Sequence, residues 1–588
     1  MKKLLLYLIF CLFAFNTNAQ FYLRGIVQDE KNISLNAAKI LLHSSKIGAI
    51  TDHNGSFGIN TALQYDSITI TLDGFEKQII KVKTDVWQTI VLKISTATLI
   101  KNKPKLISFT KDASLKARFS PYISDETYFK LVENEFVITY NYPNSAFSLN
   151  VNKASYSNVR RFVNMKMTVP VDAVRIEEMV NYFNLAYEKP TGSNILNISS
   201  TLSACPWNTK NQLLFLKLSA KKIELDKIPA GNFVFLIDVS GSMDMPNRLP
   251  LLKQAFQLFV NNLRAIDKVS IITYGGIVGT WLSPTAGSEK EKINKSLELL
   301  EAAGDTPGES AIEAAYKMAS SNFIVGGNNR VILATDGDFN VGQITEKALD
   351  ELITKQRETG IYLTCLGVGM GNFKDSKLQT LAKRGNGNYA YLDDLHEAEK
   401  VLVKELTETL YAVAEDAYIN IQFNAEAVDS YRLVGFDNKK EAVQDASSDL
   451  DGGEIGSGGS TIAIFEIVPT IQQKKISILG NLILQFHDVK DKEKNVQKID
   501  FNISAQLDTT NKAIKFAAAV VMYGLKLKES TYINKASWNA VKALAEAAAD
   551  KTVFLQNDFL TLIDKTIEVY EPNRKKKKKT KKLNSSIL

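Results

Sequence analysis

Apolar and polar positions follow three different patterns along the chain, and each pattern predicts its own kind of domain. Residues 20–97 alternate in short runs such as SITITL and QTIVLKI, which predicts an all-β sandwich. Residues 226–412 carry unbroken apolar runs such as FVFLID and RVILATD between amphipathic segments, which predicts a doubly wound α/β domain with a largely parallel sheet. Residues 124–225 and 413–571 mix both periods and are expected to be α+β domains that flank it.

Three further segments show no sustained pattern of a folded domain. Residues 1–19 have two lysines, an apolar stretch and Ala19 at a cleavage position, which is typical of a signal peptide. Residues 98–123 contain several helix and strand breakers and are interpreted as a linker. Residues 572–588 form a basic, disordered tail that is either solvated or in contact with an anionic envelope surface. We therefore expect export, with the periplasm, the outer membrane and the exterior all left open.

The charge balance argues against a nucleic-acid partner. The formal net charge is +7, but eight positive residues lie in the tail and two in the signal peptide, so the folded body carries −3. An exported chain without a basic, aromatic-rich surface is a poor candidate for nucleic-acid binding.

The N-terminal sandwich contains one strong turn signal. Asn54 and Gly55, in AITDHNGSFGI, predict a two-residue hairpin, because such a turn requires positive φ. The pattern GIVQD, AAKI and GAITDHNGSFGI resembles the carboxypeptidase-regulatory-like domains of exported proteins. That resemblance implies a fold and almost nothing about activity.

Oxygen-bearing side chains gather where the predicted strands of the central domain end. Asp238 closes the run FLID, Ser240 and Ser242 follow it, and Thr306 and Asp336 come at later strand ends. In an open α/β sheet the carboxyl ends of the strands form the functional rim. Oxygen ligands suit a hard divalent cation, above all Mg²⁺, and the absence of histidine and cysteine here argues against zinc.

This set of residues resembles the metal-ion-dependent adhesion site of von Willebrand factor type A domains. The resemblance implies that Mg²⁺, or Mn²⁺, is held directly or through water by Asp238, Ser240, Ser242, Thr306 and Asp336. It also implies a non-enzymatic recognition protein, since the open position of the ion can take a Glu or Asp of a partner protein. No catalytic residue and no organic cofactor is predicted.

The likeness extends beyond the site, over residues 124–571. The segments SAFSLNVNKASYSNVRRFVN, CPWN, NRVILATDGDFNVGQ and YRLVGFDN are similar to a bacterial family in which the von Willebrand A domain lies between its own N- and C-terminal domains. Where that family usually has an acidic DVDTASY-like segment, this chain has NVNKASY, with Asn152 and Lys153. This chain therefore lacks the acids of the family pattern in this segment.

Several alternatives remain open from the residues alone. The protein could be an assembly or scaffold factor of the cell envelope, whose flanking domains bind while the metal is structural. A metal-dependent hydrolase would need a base beside the ion, and no histidine lies near these loops. GVGMGN, at 367–372, resembles a dinucleotide-binding loop but lacks the third glycine, so a plain turn is favoured. Pairing of Cys205 with Cys365, the partner's identity and the oligomeric state are undetermined.

Overall fold

The structure is a computed structural model of the full chain. Residues 1–20, all of segment 98–123, Thr306 and the tail 572–588 lie outside the residues that it describes. The described ranges are 21–30, 32–52, 54–72, 75–93, 126–149, 151–185, 187–224, 227–275, 278–304, 308–337, 346–371, 373–436, 453–491, 495–533 and 536–571. The chain divides into two compact units, 1–118 and 119–588.

The first unit consists of short strands in two sheets around one apolar core. Its strands are β1 Phe21–Asp29, β2 Lys39–Leu42, β3 Gly48–Ile50, β4 Ser56–Thr61, β5 Tyr65–Thr71, β6 Gln78–Lys83 and β7 Gln88–Leu92. One sheet has the order β4-β1-β7 and the other β3-β2-β5-β6. Inward side chains of both sheets, such as Leu23 and Ile40, share the core, as the alternating pattern predicted.

The predicted hairpin at Asn54 and Gly55 is wrong. A tight turn does form there: Gly55 has a φ of +73° and its N–H donates to the Asp52 carbonyl at 2.9 Å. The strands on either side, β3 and β4, belong to different sheets. The asparagine-glycine pair therefore fixes the local bend, while the apolar face of each strand decides which sheet it joins.

The second unit begins with a mixture of strands and helices before the central domain. Its elements are β8 Val137–Ile138, β9 Asn144–Ser148, helix α1 Ala154–Asn164, helix α2 Ile176–Asn181, β10 Leu196–Ala204 and β11 Gln212–Ala220. Helix α2 ends at Asn181, and shortly after it Asn184 adopts a φ of +50°. A left-handed residue cannot continue a right-handed helix.

The central domain is the expected doubly wound α/β structure. Its strands are β12 Gly231–Asp238, β13 Lys268–Tyr274, β14 Gly279–Ala286, β15 Asn328–Thr335, β16 Ile361–Gly367 and β17 Tyr389–Tyr391. Its helices are α3 Leu249–Asn261, α4 Lys290–Glu298, α5 Gly308–Ser321, α6 Glu346–Glu358, α7 Asp375–Arg384, α8 Leu395–Glu399 and α9 Leu406–Leu410. The sheet order is β14-β13-β12-β15-β16-β17, parallel except for the edge strand β14.

The strand order places a crevice between β12 and β15. These two strands are adjacent and parallel, but β13 and β14 extend the sheet to one side while β16 and β17 extend it to the other. Every residue of β12 and β15 is buried, because helices cover both faces. Loops that leave such a pair in opposite directions open the crevice that binds ligands in this fold class.

The segment after the central domain returns to the flanking structure. Its strands are β18 Ala412–Phe423, β19 Val428–Val434, β20 Gly453–Gly456, β21 Ser460–Pro469, β22 Ile478–Asp488 and β23 Val496–Ser504. Its long helices are α10 Lys512–Leu527, α11 Trp538–Ala548 and α12 Phe554–Tyr570. Among the described residues, no helix has the length and apolar character needed to cross a membrane.

The two flanking segments form a single β-sandwich with a helical layer. One sheet has the order β10-β11-β21-β19-β8, so two strands from after the central domain, β21 and β19, lie between strands from before it. The other sheet contains β20, β18, β22 and β23, with β9 also paired to β18. Helices α1, α2, α10, α11 and α12 pack on the outer face of the first sheet. The central domain is thus an insertion in a body built from both flanks.

Buried ion pairs join this body to the central domain. Arg160 of α1 bonds Asp393 through Nε at 2.7 Å and Nη2 at 2.6 Å, and Nη2 also bonds Glu397 at 2.8 Å. Arg175 Nη1 donates to Asp375 Oδ2 at 2.7 Å. Since a buried charge without a partner is costly, these contacts fix the docking of the helices on the α/β sheet.

Candidate functional site

Asp238 lies at the carboxyl end of β12 and is fully buried. Its Oδ1 accepts the backbone N–H of Ser240 at 2.9 Å, and its Oδ2 accepts the hydroxyl of Thr335, the last residue of β15, at 2.8 Å. The chain then forms a 3₁₀ turn, Gly241–Met243, in which the Ser240 and Ser242 hydroxyls are 3.1 Å apart. The sharp turn brings all three side chains of the motif to one point.

Asp336 follows β15 directly and is also fully buried. Its Oδ2 accepts Nη1 of Arg248 at 2.6 Å, and the same Nη1 donates to the Ser242 carbonyl at 2.6 Å. A single guanidinium group therefore links the loop after β12 to the loop after β15. The two acids predicted from the sequence lie on the two strands of the crevice.

Burial raises the pKa of Asp238 to about 6. The side-chain and backbone hydrogen bonds of Ser240 oppose that increase, and the nearby negative charge of Asp336 adds to it. Burial likewise raises the pKa of the neighbouring Tyr274 hydroxyl well above its usual value. Keeping Asp238 ionised in this buried position therefore carries a free-energy cost that a bound cation would remove.

The residues that precede Thr306 in the chain also lie at this site, although Thr306 itself is outside the described residues. The Ala303 N–H donates to the Val239 carbonyl at 2.7 Å, and the Gly241 N–H donates to the Gly304 carbonyl at 3.0 Å. The residues up to Gly304 are thus bonded to the loop that carries Ser240. Asp238, Ser240, Ser242 and Asp336 come together, as the sequence predicted.

Two residues of the site were missed by the sequence analysis. Arg248 comes ten positions after Asp238, just before α3, and an arginine at a helix start carries no signal of its own. Thr335 directly precedes Asp336 in ATDGD, so it could have been found by asking what an adjacent parallel strand places beside Asp238. Both donate hydrogen bonds to the carboxylates of the site, and neither is among the predicted oxygen ligands.

The glycine loop after β16 is a turn that contacts this site. Gly369 and Gly371 have φ values of +81° and +95°, and the Met370 carbonyl between them accepts Nη2 of Arg248 at 2.7 Å. From the other side, Glu126 accepts the Gly371 N–H at 2.8 Å and binds Arg161 of α1 at 2.8 Å. The loop therefore lies between the site and the flanking body.

The departure from the family pattern at NVNKASY also has a structural partner. Lys153 Nζ lies 2.7 Å from Glu408 and 3.4 Å from Glu405, at the end of the central domain. The Asn152 side chain accepts the Tyr389 N–H at 3.0 Å. This segment thus ties the flank to the central domain through a lysine, where an acid would be repelled.

The donor set at the crevice fits a hard divalent cation. Carboxylate and hydroxyl oxygens are what Mg²⁺ and Mn²⁺ bind, and of the two buried acids Asp336 contacts the guanidinium group of Arg248. Among the described residues there is no group of three or more His, Cys, Asp or Glu side chains that could hold a metal. The predicted set has two acids and otherwise hydroxyls, so it differs from sites that are built on acids alone.

Neither of the two cysteines among the described residues lies at the candidate site. Cys205 and Cys365 are both buried and free, so the structure contains no disulfide between them. Burial raises the pKa of the Cys205 thiol to about 12, which keeps it protonated. Cys365 behaves as a small apolar side chain, whereas the Cys205 thiol donates to Glu466 Oε1 at 3.8 Å.

Comparison with known proteins agrees with this architecture. The profile of the von Willebrand factor type A domain matches residues 232–408, a profile described as von Willebrand factor matches 122–215, and that of the C-terminal domain of the uncharacterized protein YfbK matches 408–569. The chain is 24% identical over 208 residues to human inter-alpha-trypsin inhibitor heavy chain H2, covering 34% of this chain and 21% of that protein. A solved von Willebrand factor type A structure from Catenulispora acidiphila matches with a TM-score of 0.37 and 14% identity, covering 63% of this chain and 91% of that one.

A longer match comes from a bacterial protein. The chain is 37% identical over 429 residues to the uncharacterized protein YfbK of Escherichia coli (strain K12), which covers 69% of this chain and 75% of that protein. The aligned length includes more than the von Willebrand domain alone. The chain therefore belongs to the YfbK family, with a von Willebrand factor type A domain at its centre and a YfbK-type C-terminal domain.

Proposed function

We propose that this protein is an exported, non-enzymatic recognition protein that binds an acidic residue of a partner protein through a divalent metal. Asp238, Ser240, Ser242, Thr306 and Asp336 would hold Mg²⁺ or Mn²⁺, directly or through water. When bound, the ion supplies an electropositive position that a partner's Glu or Asp can complete. The signal-peptide-like N-terminus supports export, and the first unit is proposed to be a carboxypeptidase-regulatory-like spacer or docking domain.

The observation that carries this proposal is the pair of buried carboxylates at the crevice between β12 and β15. Asp238 pays a desolvation cost that raises its pKa, the Ser240 and Thr335 side chains hydrogen-bond to it, and the Ser242 hydroxyl lies 3.1 Å from that of Ser240. The two carboxylates do not balance the combined positive charge of a divalent ion and Arg248. The site therefore stays attractive to a further carboxylate. Von Willebrand domains generally mediate protein–protein interactions, which agrees with this role.

Titration calorimetry tests the metal site directly. Mg²⁺ and Mn²⁺ are titrated into the wild-type protein and into Asp238→Ala, with Asp244→Ala as the matched control, because Asp244 is an exposed acid of the same loop. We expect one site that Asp238→Ala loses and Asp244→Ala retains. Equal binding by wild type and Asp238→Ala would refute the metal site.

A second function, an assembly or scaffold factor of the cell envelope, is favoured by the extent of the flanking body. In that case the sandwich and helices bind the partner and the metal is structural. Envelope extracts applied to the immobilised protein, with Mg²⁺ or with EDTA, separate the two functions. A partner retained with Mg²⁺ and lost with EDTA and in Asp238→Ala supports recognition through the metal, whereas equal retention supports the scaffold.

A further inference from the structure

Arg248 is a buried arginine whose guanidinium group lies inside the candidate metal site. The residue is 5% exposed, and Nη1 contacts both Asp336 Oδ2 and the Ser242 carbonyl at 2.6 Å. The other nitrogen, Nη2, donates to the Met370 carbonyl at 2.7 Å. These three contacts place a fixed positive charge on one of the two predicted acidic ligands.

A divalent ion at the same acid would lie close to that charge. Two cations a few ångströms apart in a buried site repel each other strongly, because little water is present to screen them. Asp336 carries a single negative charge, so it cannot fully neutralise the guanidinium group and the ion at the same time. Asp238 accepts hydrogen bonds from Ser240 and Thr335 instead, which leaves the guanidinium contact to Asp336.

We propose that Arg248 is the resident cation of this site and that a divalent metal binds by displacing its guanidinium group from Asp336. Arg248 is then the residue that sets metal affinity, and it keeps that affinity lower than the oxygen donors alone would give. This inference rests on the proposed metal-binding function.

The glycine loop and the flanking body hold Arg248 in place. A Cβ at Gly369 would lie 2.6 Å from Arg248 Nε, so the arginine packs directly on this glycine. The loop is in turn held by Glu126, which accepts the Gly371 N–H at 2.8 Å, and by Arg161, whose Nη1 lies 3.4 Å from the Gly369 carbonyl. Contacts made by the flank thus stabilise the state in which Arg248 occupies the site, and they should lower metal affinity.

The first test removes the charge of Arg248. Mn²⁺ is titrated calorimetrically into wild type and Arg248→Gln, since glutamine can still donate to a carbonyl oxygen but is neutral. We expect Arg248→Gln to bind Mn²⁺ about tenfold more tightly, within the usual range for coupled equilibria. Unchanged or weaker binding would overturn the inference, because Arg248 would then be support for the acids rather than a competitor.

The second test moves Arg248 without changing any charge, and it decides the matter if Arg248→Gln fails to fold. Gly369→Ala places a methyl group against the arginine and should also tighten Mn²⁺ binding. Gly192→Ala is the matched control, because Gly192 has a similar φ of +64° and open space around its missing Cβ. Equal affinities of Gly369→Ala and Gly192→Ala would contradict the proposal.

The outcomes separate this inference from the proposed function. Wild-type binding that Asp238→Ala abolishes, with no gain in Arg248→Gln or Gly369→Ala, would leave the metal site standing and reject the role of Arg248. Binding that appears only after Arg248 is replaced or displaced would support the inference in its strongest form. No Mn²⁺ binding by wild type or by either variant would reject both.

Discussion

Replacing Asp238 with asparagine should stabilise the metal-free protein at neutral pH. In the folded protein, burial raises the pKa of Asp238 to about 6, from 3.8 in an exposed chain. At about 1.4 kcal/mol per pH unit, that difference amounts to roughly 3 kcal/mol. The folded state binds the proton of Asp238 more tightly than the unfolded state does. The contribution of Asp238 to the free energy of unfolding therefore falls as pH rises from about 4 to about 6, and it stays low at higher pH.

The expected net gain is smaller than this full cost. Asparagine keeps one acceptor for the Ser240 N–H and can donate to the Thr335 hydroxyl, so the loss in hydrogen bonding is roughly 1 kcal/mol. In EDTA at pH 7.5, the free energy of unfolding of Asp238→Asn should therefore be about 2 kcal/mol higher than that of the wild type. Below about pH 4 the gain should vanish, because the wild-type carboxyl group is then neutral in both states.

Urea unfolding in EDTA at pH 7.5 and pH 4 measures this difference, with Asp244→Asn as the control at an exposed position of the same loop. If the proposed site binds metal, saturating Mg²⁺ should reverse the order of stability at pH 7.5, because the ion would stabilise the folded wild type and not the variant. A variant that is less stable than wild type in EDTA at pH 7.5 would refute the reasoning. Asp238 would then be satisfied by its hydrogen bonds alone.

Three further predictions concern particular contacts. Thr335→Val, which removes the hydroxyl bonded to Asp238, should weaken Mg²⁺ binding about tenfold in calorimetry, since such supporting residues fix the orientation of a ligand. Arg160→Met should lower the free energy of unfolding by roughly 3–5 kcal/mol, because Asp393 and Glu397 lose a buried partner. The control is Lys292→Met, in an exposed ion pair with Glu289, which should change the free energy of unfolding by less than about 1 kcal/mol. Cys205 and Cys365 should react with a thiol reagent in urea and not in the folded protein; rapid reaction of the native protein would contradict their burial.

The central sheet could be predicted from the sequence because burial on both faces leaves unbroken apolar runs. FVFLID, VSIITY and RVILATD became β12, β13 and β15, and the helical spacing after Arg248 became α3. The end of each run also marked where polar side chains emerge, which is why Asp238 and Asp336 were found together. Local pattern and tertiary position agree in this part of the chain.

The parts that could not be predicted depend on long-range contacts. Pairing of β11 with β21, for example Leu214 with Phe465, joins residues about 250 positions apart and has no local signature. The role of Arg248 depends on which way its side chain points from the start of α3, and the role of GVGMGN depends on what packs against it. Sequence periodicity fixes which faces are apolar, but not which distant face covers them.

The insertion of the central domain between β11 and β18 has a mechanical consequence. Those strands belong to facing sheets with a common core, so the chain leaves the sandwich and returns to it at fixed points. Tension applied along the chain between residues 126 and 571 would be carried by the hydrogen-bonded strands of the sandwich, with the inserted domain as a side branch. The crevice between β12 and β15 would then lie off the path that carries the load.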